Sequence, residues 1–346
     1  MTTKGIYIYG IIPNFYSADM FRSLENAGVY AIPFQNISAI VSEREGTLLD
    51  YTDREALGHL LIHHQKTIES MVANGFTMII PMRLGTIVNS KAEVFRILEN
   101  GHDLIMEVLK KMQFLTEIDI AVTWADFSGV LAELANDPEI IAAKEDILKT
   151  SDSLSQIDQV RLGMMVQTKL KEKNLKVELK ILESLSVFSV DIKTHDVMND
   201  QMITNSAFLL NRIKLENFEK GIDKLDEEFK GLLNFKLVGP LPCYSFYTIE
   251  MKELNPDHIA EAKQELGLSE ETTESEIKKV YLGKARLCHP DANSGNGNDE
   301  KFEKISKAYH TILDYSVAAR QSSKEVLISL NREKVSKNLF LVKIKE

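Results

Sequence analysis

Short runs of β-branched and aromatic residues alternate along this chain with stretches whose apolar residues recur every three or four positions. Gly5 to Ile12 is a continuous apolar run of Ile, Tyr and Gly that predicts a buried strand. Ser17 is placed to cap a helix through Met20, Phe21 and Leu24 that ends near Gly28. Val29–Ile32 and Ile37–Ser42 predict two strands, or one interrupted at Pro33. Asp53 opens a helix with Leu57, Leu60, Leu61, Ile68, Met71 and Val72 on its apolar face, closed by Gly75. Phe76 to Met82 predicts a strand continuing through Arg83-Leu84-Gly85-Thr86 to Val88. A helix from Ser90 to about Met112 and a strand from Glu117 to Trp124 follow.

From Pro138 to Glu183 the pattern is helical, too long for one ordinary globular helix, with Ser151 and Gly163 as possible breaks. Strands return at Leu185–Asp191 and Ser206–Leu210, and a helix over Leu215–Leu233 leads to Phe235–Val238. Gly239-Pro240-Leu241-Pro242 breaks that strand and Tyr244–Ile249 resumes it. Pro256 to Tyr315 is helical apart from the polar insert Asn293–Asn298, and the apolar runs Val326–Leu330 and Leu339–Ile344 predict a hairpin. The expected fold is α+β. It comprises a ferredoxin-like α/β domain over residues 1–130 and a helical segment with a second small α+β domain over 131–255. An all-helical module over 256–318 follows, then a C-terminal β-hairpin over 319–346. The hairpin is expected to return to the second domain's sheet, because an isolated one is marginal in water.

Composition narrows the function without naming it. A formal charge of −10 over 346 residues argues against a bulk nucleic-acid binder. Two cysteines, Cys243 and Cys288, make no disulfide framework and suit a reducing compartment. No run reaches the roughly 20 apolar residues that cross a bilayer. The Gly5–Ile12 run has no small-x-small cleavage site behind it, so a cytoplasmic location is expected. His59 and His63, with Glu55 one turn earlier, have a metal-ligand spacing, but His-Glu-x-x-His is missing and packing or capping is the expected use. Arg83 beside Gly85 offers an anion site, but burial on a carboxylate such as Glu117 is the expected role, and Gly239–Pro242 is expected to be a rigid turn. No phosphate-cradling loop, nucleophile elbow or Cys–His pattern occurs, so no catalytic residue, metal or cofactor is expected, and no enzyme.

The specific signal lies between Glu271 and Asp314. Thr273-Glu274-Ser275-Glu276 is a capping box that starts a helix with Ile277, Val280 and Tyr281 on its apolar stripe. Lys278, Lys279, Lys284 and Arg286 make the same helix basic, with no acid between Ile277 and His289. His289-Pro290-Asp291 follows, then a second helix carrying Phe302, Ile305, Ala308, Tyr309 and Ile312 at helical spacing. This segment resembles a DnaJ-type J domain, on Leu266-Gly267-Leu268, Ile277-Lys278-Lys279-Val280-Tyr281, the His289-Pro290-Asp291 tripeptide and Asp314. The resemblance implies that the basic helix docks on a DnaK-type chaperone and that the tripeptide stimulates its ATP hydrolysis. Pro290 would stiffen the turn, and Asp291 would accept a charge-assisted bond from a partner arginine. Gly283 within the helix, and Leu282 and Leu287 at positions often basic in that family, depart from the pattern.

Elsewhere Tyr7-Ile8-Tyr9-Gly10-Ile11, His63-His64-Gln65-Lys66, Ile80-Pro81-Met82-Arg83-Leu84-Gly85-Thr86 and Val238-Gly239-Pro240-Leu241-Pro242-Cys243-Tyr244-Ser245-Phe246 resemble, in order, hallmarks of gas vesicle proteins of the GvpL/GvpF family. Leu84, Leu241 and Cys243 replace Phe, Trp and Pro of that pattern. This resemblance covers residues 4–250 and the final strands. It implies an accessory protein of gas vesicle organization and assembly, in the cytoplasm and at the vesicle. It further implies an exposed N-terminal sheet that binds the small shell protein, contacts with other gas vesicle proteins, and none with nucleic acid or membrane. Gly10, Pro81, Arg83, Gly85, Gly239, Pro240, Pro242 and Tyr244 are then expected as structural motif residues. The rival readings are a general J-domain co-chaperone with an α/β client-binding region, and a non-catalytic vesicle scaffold.

Overall fold

The computed structural model describes residues 4–17, 20–22, 28–45, 54–150, 153–288, 298–323, 327–336 and 339–345. It falls into two units, Met1–Lys111 with Tyr247–Glu346, and Met112–Phe246. In the first, β1 (Lys4–Pro13) is the spine. The hairpin β2 (Val29–Phe34) and β3 (Ile37–Glu45), and the short β4 (Ile80–Pro81) and β5 (Ile87–Val88), build an antiparallel sheet on it in the order β2-β3-β1-β4, β5 also pairing β1. Residues Gly5 to Pro13 are all buried. A continuous apolar run is what a strand covered on both faces requires, so β1 is no part of an exposed sheet. Pro33 lies inside β2 without breaking it, because β2 is an edge strand and need not donate outward.

Two helices complete this half, α1 (Arg54–Ala73) and α2 (Lys91–Met112). The helix expected between Ser17 and Gly28 lies largely outside the described residues, as does Asp53. The strand expected from Phe76 to Val88 is only the two-residue pieces β4 and β5, separated by a turn in which Thr86 N donates to the Arg83 carbonyl at 3.2 Å. Gly85 supplies the left-handed φ of +86° that the turn needs.

The second unit holds β6 (Leu115–Trp124), α3 (Phe127–Ala135), α4 (Pro138–Thr150), α5 (Gln156–Ser186), β7 (Ser189–Thr194), β8 (Met202–Asn211), α6 (Leu215–Phe229) and β9 (Leu233–Leu241). Its antiparallel sheet runs β7-β8-β6-β9, so β6, expected to end the N-terminal domain, is instead an inner strand here. Ile120, Val122, Phe208, Ile181, Leu185 and Phe218 anchor its core. Gly163 does not break α5; the helix begins afresh at Ser155, whose capping box with Asp158 is fully formed. The expected strand at Leu185 starts later because α5 runs on to Ser186. Pro240 does not end β9 at Val238, again because the strand is at an edge.

The first unit resumes with β10 (Thr248–Glu253), which pairs antiparallel with β13 (Phe340–Lys345). Met82 bridges in parallel to Ile249, and Arg83 N donates to the Ile249 carbonyl at 2.8 Å, so this ribbon is fastened beside β4. Between its two strands lie α7 (Pro256–Leu266), β11 (Glu271–Thr272), α8 (Glu274–Cys288), α9 (Asn298–Ser323), β12 (Ile328–Ser329) and the short α10 (Arg332–Val335). Ile259, Leu266, Ile277, Ile305, Ile312 and Tyr315 form the core of this insert. Two expectations are corrected. The tail is no hairpin, since β12 pairs with β11 and β13 with β10, inside the first unit. The J-like region is not all-helical, because β11 lies within it and pairs with β12.

Candidate functional site

Three distant sequence pieces meet on one face of β1. Alternation aims Tyr7 and Tyr9 the same way, toward α1. Gly85 N donates to the Tyr7 hydroxyl at 3.4 Å, and that hydroxyl stands 2.8 Å from His64 Nδ1. The Tyr7 hydroxyl accepts from the amide and shares a hydrogen bond with the imidazole whose direction follows the His64 tautomer. Burial, helped by neighbouring His63, lowers the His64 pKa to about 4, which keeps the ring neutral. The Tyr9 hydroxyl lies 3.0 Å from Ser42 Oγ and 3.2 Å from His63 Nδ1. Gly10 sits opposite Pro81, and a Cβ there would come within 2.8 Å of the Ile80 carbonyl oxygen. Gly10, Pro81 and Gly85 are thus gathered at one junction.

Arg83 is not part of it. Its side chain is exposed, 4.0 Å from Glu250, instead of buried on Glu117. The His59–His63 pair does not converge either: His59 lies 3.9 Å from Glu55 while His63 turns to Tyr9. Among the described residues no three His, Cys, Asp or Glu side chains are gathered for a metal.

Glu117 has a different partner. Its carboxyl, fully buried, accepts from Ser245 N at 2.9 Å and from Ser245 Oγ at 2.6 Å. Burial, with the Asp119 carboxyl beside it, pushes the Glu117 pKa up to about 8 against the pull of the Ser245 donors. Burial raises Asp119 too, opposed by its bond to Glu117 and the charge of His195. The Cys243 thiol is pushed up to about 12 by burial and the Glu117 charge, so it is no nucleophile. A Cβ on Gly239 would lie 2.5 Å from Ile118 Cδ1 and 2.9 Å from the Glu117 carbonyl oxygen. Tyr244 N donates to the Pro242 carbonyl at 2.8 Å. The stretch Gly239-Pro240-Leu241-Pro242-Cys243-Tyr244-Ser245 is therefore a hook closed over β6.

On α8, Lys278, Lys279 and Arg286 are exposed, and Leu282 lies between Lys278 and Arg286 on the same arc. Leu287 is 72% exposed. Lys284 is committed elsewhere: its Nζ donates to the Glu265 carbonyl at 2.5 Å and closes the end of α7 beside Gly267. Tyr281 stacks on Tyr309 with centroids 4.1 Å apart and its hydroxyl 3.2 Å from Ser306, locking α8 to α9. Asp314 accepts from Lys252 at 2.6 Å and from Lys343 at 2.9 Å, pinning α9 to both strands of the ribbon. His289, Pro290 and Asp291 lie outside the described residues. A face of three cations around a leucine can hold an acidic surface with an apolar spot; it offers no group for covalent chemistry.

Sequence reasoning missed the Tyr7–His64–Gly85 chain, the Ser245 clamp and Gln321. Gln321 Nε2 donates to the Val342 carbonyl at 2.6 Å and Val342 N donates to Gln321 Oε1 at 3.2 Å, so one amide side chain pairs with β13 as a strand would. Polar residues within apolar runs were the available signal for the first two; for Gln321 there was none.

Comparisons with known proteins fall on these same elements. The family described as "Gas vesicle synthesis protein GvpL/GvpF" matches residues 5–248, and the DnaJ domain matches residues 247–320. Gas vesicle protein F of Dolichospermum flosaquae is 22% identical over 71% of this chain and 98% of its own length. The chaperone protein DnaJ 1 of Aquifex aeolicus is 38% identical over 66 residues, 19% of this chain and 17% of its own. The crystal structure of the gas vesicle protein GvpF from Anabaena sp. PCC7120 shares the fold with a TM-score of 0.53 at 21% identity, covering 70% of this chain and 97% of that one. Both matched families are accessory or co-chaperone families without catalytic activity, and no described helix is long and apolar enough to cross a membrane. With more than half its length matched, the chain belongs to the GvpL/GvpF family of gas vesicle synthesis proteins and carries a DnaJ-like domain behind the family's own region.

Proposed function

We propose that this chain is an assembly factor, working in the cytoplasm and at the vesicle, that binds the small shell protein and brings a DnaK-type chaperone to it. The observation that carries the reading is the presence of both family regions in one chain, the helices of the second lying between the paired strands β10 and β13 of the first unit. A shell subunit with an apolar face aggregates when unassembled. A binder that also engages an ATP-driven chaperone can deliver it in soluble form. His289, Pro290 and Asp291, with Lys278, Lys279 and Arg286, are the chaperone-contacting set, and Lys284 supports them by capping α7. The antiparallel order β2-β3-β1-β4 supports a ferredoxin-like reading of the N-terminal half.

The test is ATPase stimulation of the cognate DnaK-type chaperone by the full chain and by His289→Gln, with and without purified shell protein. Stimulation that is lost in the variant and rises with shell protein supports the reading. Equal rates with and without the chain refute chaperone recruitment and leave a vesicle scaffold.

A further inference from the structure

The basic helix α8 carries a glycine that its own fold does not require. Gly283 is exposed in the helix interior, outside the left-handed region, and a Cβ built on it would meet nothing within 4 Å. Glycine there costs the helix backbone entropy that alanine would save, and no close contact within the chain offsets it. Gly10 and Gly239 differ, since a Cβ on either would strike a backbone carbonyl. At helical spacings of three and four, Gly283 is bordered by Lys279, Val280, Arg286 and Leu287. The missing side chain leaves a recess. The stems of Lys279 and Arg286 wall one flank, and Val280 with the largely exposed Leu287 walls the other. Gly58 and Gly163, the other helix glycines with open space around them, are not flanked by a pair of cations.

The charges around the recess are unspent. The ion pair that α8 does close, Glu274 with Arg320 at 2.6 Å, lies at its first turn, and Glu276 is engaged with Thr273 in the capping box. Among the described residues Lys278, Lys279 and Arg286 close no ion pair. Resting on the chaperone reading above, we propose that Gly283 is a recognition notch. An apolar side chain projecting from an acidic surface of the DnaK-type chaperone seats over the glycine, with carboxylates beside it meeting Lys279 and Arg286. Val280 and Leu287 make the occupant apolar, because they offer it no hydrogen bond; the unpaired cations make its surroundings acidic. Alanine at this position would narrow the recess by one methyl, and leucine would fill it.

The test measures the concentration of full chain that half-maximally stimulates the ATPase of the cognate DnaK-type chaperone, for wild type, Gly283→Ala and Gly283→Leu. Urea melts check the fold, which both substitutions should stabilise because the site is exposed and helical. The half-maximal concentration is expected to rise about threefold with alanine and about tenfold or more with leucine. Unchanged values in both variants would overturn the notch and leave the chaperone reading standing. Equal weakening by alanine and leucine would overturn it as well, because a stiffer helix acts alike in both whereas a filled recess depends on size. A wild type that stimulates nothing would overturn the chaperone reading itself, and the notch with it.

Discussion

Replacing Glu117 with glutamine should make the second unit less sensitive to alkaline pH. The folded chain keeps the Glu117 proton up to about pH 8, whereas the unfolded chain releases it near 4.5. Between those values the folded state binds the extra proton, so stability falls as pH rises. The slope is at most about 1.4 kcal/mol per pH unit, or about 3 kcal/mol from pH 5.5 to 7.5. The side-chain amide that Glu117→Gln introduces stands in for the protonated acid: its carbonyl oxygen accepts from Ser245 N, and its NH2 takes the place of the oxygen facing Ser245 Oγ, a hydroxyl that can accept as well as donate. Trp124 is the one tryptophan of the chain and lies on the same strand. Its fluorescence in urea melts therefore reports this unit. The expected result is near-equal stability at pH 5 and a variant more stable than wild type by about 2–3 kcal/mol at pH 8. Parallel curves for the two proteins across this range would refute a buried, protonated Glu117.

His64 behaves with the opposite sign. Its folded pKa of about 4 lies below the ordinary 6.5, so its contribution is complete above pH 6.5 and lost as pH falls toward 4; His64→Gln should flatten that limb in thermal melts followed by circular dichroism. Gly10→Ala forces a methyl against the Ile80 carbonyl and the Ile79 side chain, and should cost about 1–3 kcal/mol in chemical denaturation. Asp314→Ala frees Lys252 and Lys343 and should cost about 1 kcal/mol; hydrogen exchange should quicken over 248–253 and 340–345 and not in β6.

Local signals carried much of the fold. A continuous apolar run gave β1, the stretch Glu117–Trp124 with Ile118, Ile120, Val122 and Trp124 at alternate positions gave β6, the Thr273–Glu276 box fixed the start of α8, and α2 and α6 followed from their periodicity. What stayed hidden is long-range. Nothing in Glu117 to Trp124 says whether it joins the strands before it or those after it, because sheet partnership depends on register with residues about a hundred positions away. The tail misled for the same reason: two apolar runs close in sequence read as a hairpin, yet each found a better edge elsewhere. Arg83 was expected inside, paired with a carboxylate such as Glu117, but the turn that Gly85 permits leaves the guanidinium exposed. Both Leu282 and Lys284 lie on a helix recognised from sequence. Only the packing of α7 against α8 separates the lysine that caps from the lysines that remain available.

Glu253 and Phe340 are ladder partners, so the chain leaves for the DnaJ-like insert and comes back at points about 5 Å apart. That geometry makes the insert removable. A two-residue type I′ turn joining β10 directly to β13 would close the ribbon as an ordinary hairpin, with the sheet beneath it unchanged. Acquiring or shedding such a module needs no redesign of the parent fold, only a cut at a hairpin tip. The same double attachment denies the module the swing of a flexible tether. A partner held there is presented at a fixed angle to the first unit, and its local concentration is set by the ribbon's rigidity instead of by linker length.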